Sequence, residues 1–125
     1  MAIQTKETLI AIVDDDESVR IAIAGLMKAV GLPAKTYASA HEFLDSGQQN
    51  NTACLIADIR MPGMSGLELQ AKLNADRFQI PIIFITAHGD REMRLQALRA
   101  GAVEFLSKPF SDDALLETVR AALET

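Results

Sequence analysis

The chain has 125 residues, enough for one domain with a buried core and too few for two of ordinary size. With 49% hydrophobic and 23% charged residues of both signs, it has the profile of a folded globular protein and not of a disordered one. A net charge of -5 makes direct nucleic-acid binding by this domain a poor expectation. No stretch approaches the ~20 apolar residues of a membrane helix. The run after the polar start at 1–7 is too short for a signal-peptide core, so a cytoplasmic location with no membrane contact is expected. The single cysteine, Cys54, cannot form an internal disulfide and reads as a buried, inert thiol inside an apolar run.

The first apolar run, 8–13, predicts a strand that ends at Asp14 and Asp15. A helix follows: Val19, Ile23, Leu26 and Val30 recur at steps of four, three and four, while Glu17, Ser18, Arg20 and Lys28 fall elsewhere. Gly31, with Pro33 beyond it, ends this helix. After a second strand at 34–37, Ser39 is placed to cap a second helix and to form a capping box with Glu42. A third strand at 53–57 leads to Asp58 and the turn-rich segment Ile59-Arg60-Met61-Pro62-Gly63-Met64-Ser65-Gly66. The third helix runs from about Ser65 to Asn74. A fourth strand at 81–85 leads to Thr86, and the fourth helix runs from about Asp90 to Ala100. That helix is apolar on two faces, Met93 and Ala97 against Leu95 and Leu98. One face packs on the sheet, and the other is either a partner surface or the edge of a wide core stripe. The fifth strand, 103–106, ends near Lys108 and Pro109. The last helix starts at Ser111, with Asp112 and Asp113 at its positive end, Leu115, Val119 and Ala122 as its stripe, and Arg120 near its C-terminus.

Five strands alternating with five helices predict an α/β doubly wound domain over residues 1–125, with a parallel sheet covered on both faces. In such sheets ligands bind beyond the C-terminal strand ends, where strand order reverses. If the strand order is the flavodoxin-like 2-1-3-4-5, strands one and three are neighbours, and Asp14, Asp15 and Asp58 converge on one small volume. Crowded carboxylates repel, and a hard cation relieves them. Mg²⁺ suits an all-oxygen site, and no His or Cys cluster argues for zinc. Lys108 and Thr86 reach the same volume, where an ammonium and a hydroxyl can hold the oxygens of a phosphoryl group. Asp58, on a Pro/Gly loop, is expected to be exposed in this site and is the candidate nucleophile.

These residues carry a resemblance. Val13-Asp14-Asp15-Asp16-Glu17, Ala57-Asp58-Ile59-Arg60-Met61-Pro62-Gly63-Met64-Ser65-Gly66, Ile85-Thr86-Ala87 and Lys108-Pro109-Phe110 stand in the order found in response-regulator receiver domains of two-component signalling. The chain resembles that family over essentially its whole length. The resemblance implies that Asp58 accepts a phosphoryl group from the histidine of a sensor kinase. It implies Mg²⁺ on Asp15, Asp58 and the Arg60 backbone carbonyl, with Asp14 acting mainly through a bound water. Thr86 would move its hydroxyl to the phosphoryl group, Phe105 would swing inward as the second switch residue, and Lys108 would pair with a phosphoryl oxygen. The Lys108–Pro109 peptide would be cis, an uncommon state for an X–Pro bond. Arg60-Met61-Pro62, Thr86 with His88-Gly89-Asp90, and Gly101-Ala102-Val103-Glu104-Phe105 resemble receivers of the FixJ type, which regulate transcription through a C-terminal helix-turn-helix domain. This sequence contains no such domain. Either it is the receiver of a longer regulator or it is a stand-alone receiver acting through protein contacts.

Most other acidic residues, Asp16, Glu17, Asp45, Asp76 and Glu104 among them, read as solvated or as helix-start charges. His41 reads as a surface residue. His88 and Arg60, each two positions beyond a site residue, are expected to tune the phosphorylated lifetime. Phosphorylation is expected to alter the surface of helix four, strand five and helix five, giving a homodimer or releasing an output domain. One rival is a Mg²⁺-dependent phosphohydrolase working through an aspartyl phosphate. It would need a cap and a second carboxylate, yet Arg60 stands two after Asp58 and no insertion is large enough for a cap. A flavin or nucleotide binder would need a phosphate-cradling loop where this chain has Asp14-Asp15-Asp16-Glu17.

Overall fold

The computed structural model describes residues 9–87 and 91–124. Five βα units follow one another: β1 Leu9–Val13, α1 Glu17–Ala29, β2 Ala34–Tyr37, α2 Ala40–Asp45, β3 Thr52–Asp58, α3 Gly66–Ala75, β4 Ile82–Thr86, α4 Arg91–Arg99, β5 Glu104–Ser107 and α5 Asp112–Leu123. The strands pair in parallel in the order β2-β1-β3-β4-β5, the flavodoxin-like arrangement. Between α2 and β3 the chain makes one 3₁₀ turn, Gln49–Asn51.

The sheet's two faces are written into the strands by alternation, because successive side chains point to opposite sides. Ala11, Val13, Leu55, Ala57, Ile82, Phe84 and Phe105 join one buried cluster with Phe43 of α2, Leu69 and Leu73 of α3 and Ala97 of α4. Ile10, Ile12, Cys54, Ile56, Ile83 and Ile85 join the other, with Ile23 and Met27 of α1 and Leu115, Val119 and Ala122 of α5. Each fully buried Ile, Leu or Phe contributes roughly 1.5–3 kcal/mol, so these two layers supply the main driving force. Cys54 lies wholly inside, and burial pushes its thiol up to about 12, which makes it inert at neutral pH.

Helix starts follow the sequence closely. Asp16 caps α1, Ser39 caps α2 by accepting from the Glu42 N–H at 3.1 Å, and Ser111 caps α5. The return bond of the capping box expected at Ser39 and Glu42 is not made; the reciprocal box forms instead at Ser65 and Glu68 of α3, where each side chain bonds the other's backbone N–H. One correction concerns α1. Its buried residues are Ile23 and Met27, with Val19 and Leu26 partly covered; Val30 is the C-cap and is 40% exposed, because the helix ends before that position turns toward the sheet.

Helix α4 is held in an unusual way, since Ala97 is its only fully buried residue among those described. Two side-chain amides on α3 grip its C-terminal end: buried Gln70 donates to the Ala97 carbonyl and Asn74 to the Ala100 carbonyl, each at 3.0 Å. Carbonyls at a helix C-terminus lack intrahelical partners, and these amides help satisfy them.

Candidate functional site

The C-terminal ends of β1 and β3 lie side by side, with Val13 in register with Ala57, so Asp14 and Asp58 meet there. Asp14, Asp15 and Asp58 can bring one carboxylate oxygen each within 4.8 Å of one another, which is a metal-ligating arrangement. From β5, Lys108 inserts its ammonium between two of them, 3.0 Å from Asp14 Oδ2 and 3.1 Å from Asp58 Oδ2. The Lys108–Pro109 peptide is cis, as the resemblance implies.

The site is more closed than its loop composition suggests. Asp14 is fully buried and Asp58 only 7% exposed, whereas Asp15 is open to solvent. The expectation of an exposed Asp58 is corrected here: Asp58 is the last residue of β3, not a loop residue, and its neighbours on β1 and β4 enclose it. The Arg60 backbone N–H donates to Asp58 Oδ1 at 3.2 Å, while the Arg60 side chain is exposed.

The electrostatics of the buried pair are unequal. Burial raises the Asp14 carboxyl above its ordinary value, and bonds from the Asp16 N–H and from Lys108 only partly offset this. Burial would lower the Lys108 ammonium, but its bonds to Asp14 and Asp58 outweigh that and raise it. The two responses pull in opposite senses on one contact. Asp14's complete burial decides it: one lysine shared between two carboxylates leaves an excess of negative charge in a poorly solvated place. An all-oxygen donor set of three carboxylates, left with excess negative charge by a single ammonium, fits a hard divalent ion such as Mg²⁺.

Thr86 ends β4, buried, and its carbonyl accepts from the Lys108 N–H at 2.8 Å, so the lysine's backbone is tied to the threonine's. Phe105 is 6% exposed and packs in the cluster with Phe84 and Ala97, already in an inward position. His88 lies outside the described residues. Asp16, read as a helix-start charge, is the α1 cap, and its bonds from Ser18 hold its carboxyl below the usual range. His41 is exposed beside Gly63 of the β3–α3 loop.

Sequence reasoning passed over Arg20. Its Nη1 donates to the Asp14 carbonyl at 2.7 Å. Its only sequence signal was a cation on α1 six residues past the strand end and off the apolar stripe, which reads equally well as a surface charge.

A parallel α/β domain that gathers three carboxylates and a lysine at its switch point belongs to the class built to hold a cation beside a phosphoryl group. Comparison with known proteins narrows that class. Residues 10–120 match the family model of the response regulator receiver domain, and the chain belongs to that family. It is a signalling phosphoacceptor domain of two-component systems, not a turnover enzyme. It is 46% identical over 118 residues to Nodulation protein W of Bradyrhizobium diazoefficiens, covering 94% of this chain and 52% of that protein. It is 47% identical over 119 residues to response regulator protein TmoT of Ectopseudomonas mendocina, covering 95% and 54%. Among solved structures it resembles response regulator StyR, with a TM-score of 0.88 at 45% identity over 94% of this chain and 60% of that one. It also resembles FixJ-N, with a TM-score of 0.86 at 40% identity over 96% of each chain. The chain spans about half the length of the curated relatives it matches. No helix among the described residues is long and apolar enough to cross a membrane.

Proposed function

We propose that Asp58 is the phosphoacceptor of this receiver and that a sensor histidine kinase is its donor. The observation that carries this reading is the Lys108 ammonium, 3.1 Å from Asp58 and 3.0 Å from Asp14, at the convergence of three carboxylates. A carboxylate oxygen of Asp58 attacks phosphorus, an O–P bond forms, and the P–N bond to the donor imidazole breaks as that nitrogen takes a proton. Asp14, Asp15, Asp58 and the Arg60 backbone carbonyl would hold Mg²⁺. Bound there, the ion supplies neutralisation of the charge developing on the phosphoryl oxygens. Lys108 exchanges one of its carboxylate contacts for a phosphoryl oxygen, and the Thr86 hydroxyl donates to another.

Thr86 and Phe105 form the switch. Because Phe105 is already inward, phosphorylation acts on this side chain by holding it there through Thr86, and not by drawing it in from solvent. The surface of α4, β5 and α5 reports the change. Its support is the thin packing of α4, the 39% exposure of Leu95 and the 3.8 Å pair between Arg94 and Glu104 that joins α4 to β5. Arg60 and His88 set the phosphorylated lifetime. The relatives include proteins named transcriptional regulators, such as that of Azorhizobium caulinodans. With the partial coverage of such relatives, this supports a cytoplasmic regulator in which the receiver controls a helix-turn-helix DNA-binding domain, or dimerises, on phosphorylation. A single-domain receiver over 1–125 acting through protein contacts is the second reading, favoured by the exposed apolar Leu95 on α4.

Incubation with Mg²⁺ and acetyl phosphate, followed by intact mass, tests the central claim. One labile phosphoryl group is expected, absent in Asp58→Asn. Retention of the modification in that variant refutes the assignment, and many turnovers of donor per minute point to a hydrolase.

A further inference from the structure

The polar atoms of Asp14 are tied from four directions. Its N–H donates to the Tyr37 carbonyl on β2 at 3.1 Å, Oδ1 accepts from the Asp16 N–H at 2.9 Å, and Oδ2 accepts from Lys108 at 3.0 Å. The fourth tie, from Arg20 Nη1 to the carbonyl at 2.7 Å, is short and charge-assisted. That carbonyl belongs to the peptide joining Asp14 to Asp15. A peptide is planar and carries both flanking Cα atoms, so a donor that fixes its oxygen also fixes the relative placement of two of the three carboxylates. Asp14 has other restraints, but the exposed Asp15 depends far more on its backbone for position. Arg20 is well placed to hold it: it sits in the first turn of α1, its own N–H bonded to the Asp16 carbonyl at 3.1 Å, and its side chain is half-buried against the turn it clamps.

We propose that Arg20 is a positioning residue for divalent-cation binding: it clamps the Asp14–Asp15 peptide so that both carboxylates face Asp58 before the ion arrives. The inference rests on the reading of Asp14, Asp15 and Asp58 as Mg²⁺ ligands. Groups that orient metal ligands typically contribute 10–100-fold to metal affinity. Because Arg20 acts on the backbone and not on a ligand atom, a loss of roughly tenfold, at the lower end of that range, is expected.

The test is a MgCl₂ titration without phosphoryl donor, followed by amide chemical shifts, on the unmodified protein, Arg20→Met and Arg20→Lys. Arg20→Met keeps the aliphatic stem and loses the donors; Arg20→Lys keeps a charge and a donor. The expected order of affinity is unmodified, then Lys, then Met, with Met about tenfold weaker and the Asp15 amide shifted even without ion. Melting in chelator is measured alongside, since a purely structural Arg20 would lower it and leave the affinity of the folded fraction unchanged. Unchanged Mg²⁺ affinity in folded Arg20→Met overturns the proposal. If that variant does not fold, Arg20→Gln replaces it: weaker binding than in the unmodified protein supports the clamp, and equal binding overturns it. If the unmodified protein itself shows no saturable Mg²⁺ shifts, the metal reading fails, and the clamp with it.

Discussion

Gly66, the first residue of α3, is buried, and its N–H donates to the Ile59 carbonyl at 2.8 Å. A Cβ placed there would collide with the carbonyl oxygen of Asp58 and lie 3.0 Å from both Ile59 Cα and Phe84 Cε1. Two of these three atoms are backbone and cannot step aside by changing rotamer. Overpacking of this kind costs about 1–3 kcal/mol, and backbone obstacles place Gly66→Ala near the upper end. The better helix propensity of alanine returns up to about 1 kcal/mol, leaving a net loss of about 2 kcal/mol. For a domain of this length that lowers Tm by about 8 °C. Gly25 is the control, since it lies exposed within α1 with nothing within 4 Å of an added Cβ. Gly25→Ala should raise stability by roughly 0.5–1 kcal/mol, through propensity alone. Calorimetry and urea unfolding at constant m-value read both. Because the obstacle is the peptide of Asp58, Gly66→Ala should also slow phosphorylation by acetyl phosphate in the fraction that remains folded, while Gly25→Ala leaves it unchanged. Gly66→Ala melting at or above the unmodified protein would refute the reasoning.

Asp14→Asn tests the buried charge. The folded carboxyl is raised, so its contribution to stability is complete below the unfolded carboxylate pKa and is lost as pH rises through the folded value. In chelator at neutral pH the neutral variant should therefore be the more stable, with the gap closing in acid; Mg²⁺ should stabilise the unmodified protein more than the variant. A less stable Asp14→Asn at neutral pH without metal would mean that the Lys108 pair outweighs burial. The Tyr37 hydroxyl, buried edge-on to Phe43 at a ring separation of 5.3 Å, finds no hydrogen-bond partner among the described residues. Tyr37→Phe should gain about 1 kcal/mol in urea unfolding, and a loss of that size would reveal a bound water satisfying the group. Gln70→Leu removes one of the two amides gripping α4. Hydrogen exchange at the Ala102 N–H, which shares the Ala97 carbonyl, should speed up severalfold, consistent with a lost bond of about 1 kcal/mol; unchanged exchange would show that the Gln70 amide contributes nothing to holding α4.

The strands and the residues at their ends were legible because a doubly covered strand needs a nearly unbroken apolar run, and the first polar residue after such a run marks the strand end; the order of the strands is written in no run. Asp14 and Asp58 were found in that way, whereas Thr86 alone reads as a β-former at a strand's end and is raised only by the other site residues. What the sequence left open depended on three-dimensional neighbours. Whether Val30 or Met27 turns inward depends on where α1 ends, and the periodicity of the apolar residues continues past that point. The burial of Asp58 follows from enclosure by β1 and β4, which no local pattern records. Arg20 escaped notice because its partner is a carbonyl, and every residue has one. Phe105 was legible as core but not as already inward, since its position is set by its packing with Phe84 and Ala97 from other elements.

The alternation of the strands carries a consequence for how a covalent event is relayed. Continuing each strand's parity past its last core residue, Asp14 follows Ile10 and Ile12, Asp58 follows Cys54 and Ile56, and Lys108 follows Leu106, all on the side covered by α1 and α5. Thr86 follows Ile82 and Phe84, and shares its side with Phe105, under α3 and α4. In the roles proposed above, reagents and readers therefore root on opposite banks of a single layer of backbone, and the Thr86 hydroxyl meets the phosphoryl group only round the strand end. The Lys108 N–H bond to the Thr86 carbonyl is a crossing between them, 2.8 Å long and made only of main chain. Side chains on the reading bank other than Thr86 can diversify to suit different listeners without disturbing the chemistry, so long as no residue is inserted or lost within β4 or β5 to exchange the two banks.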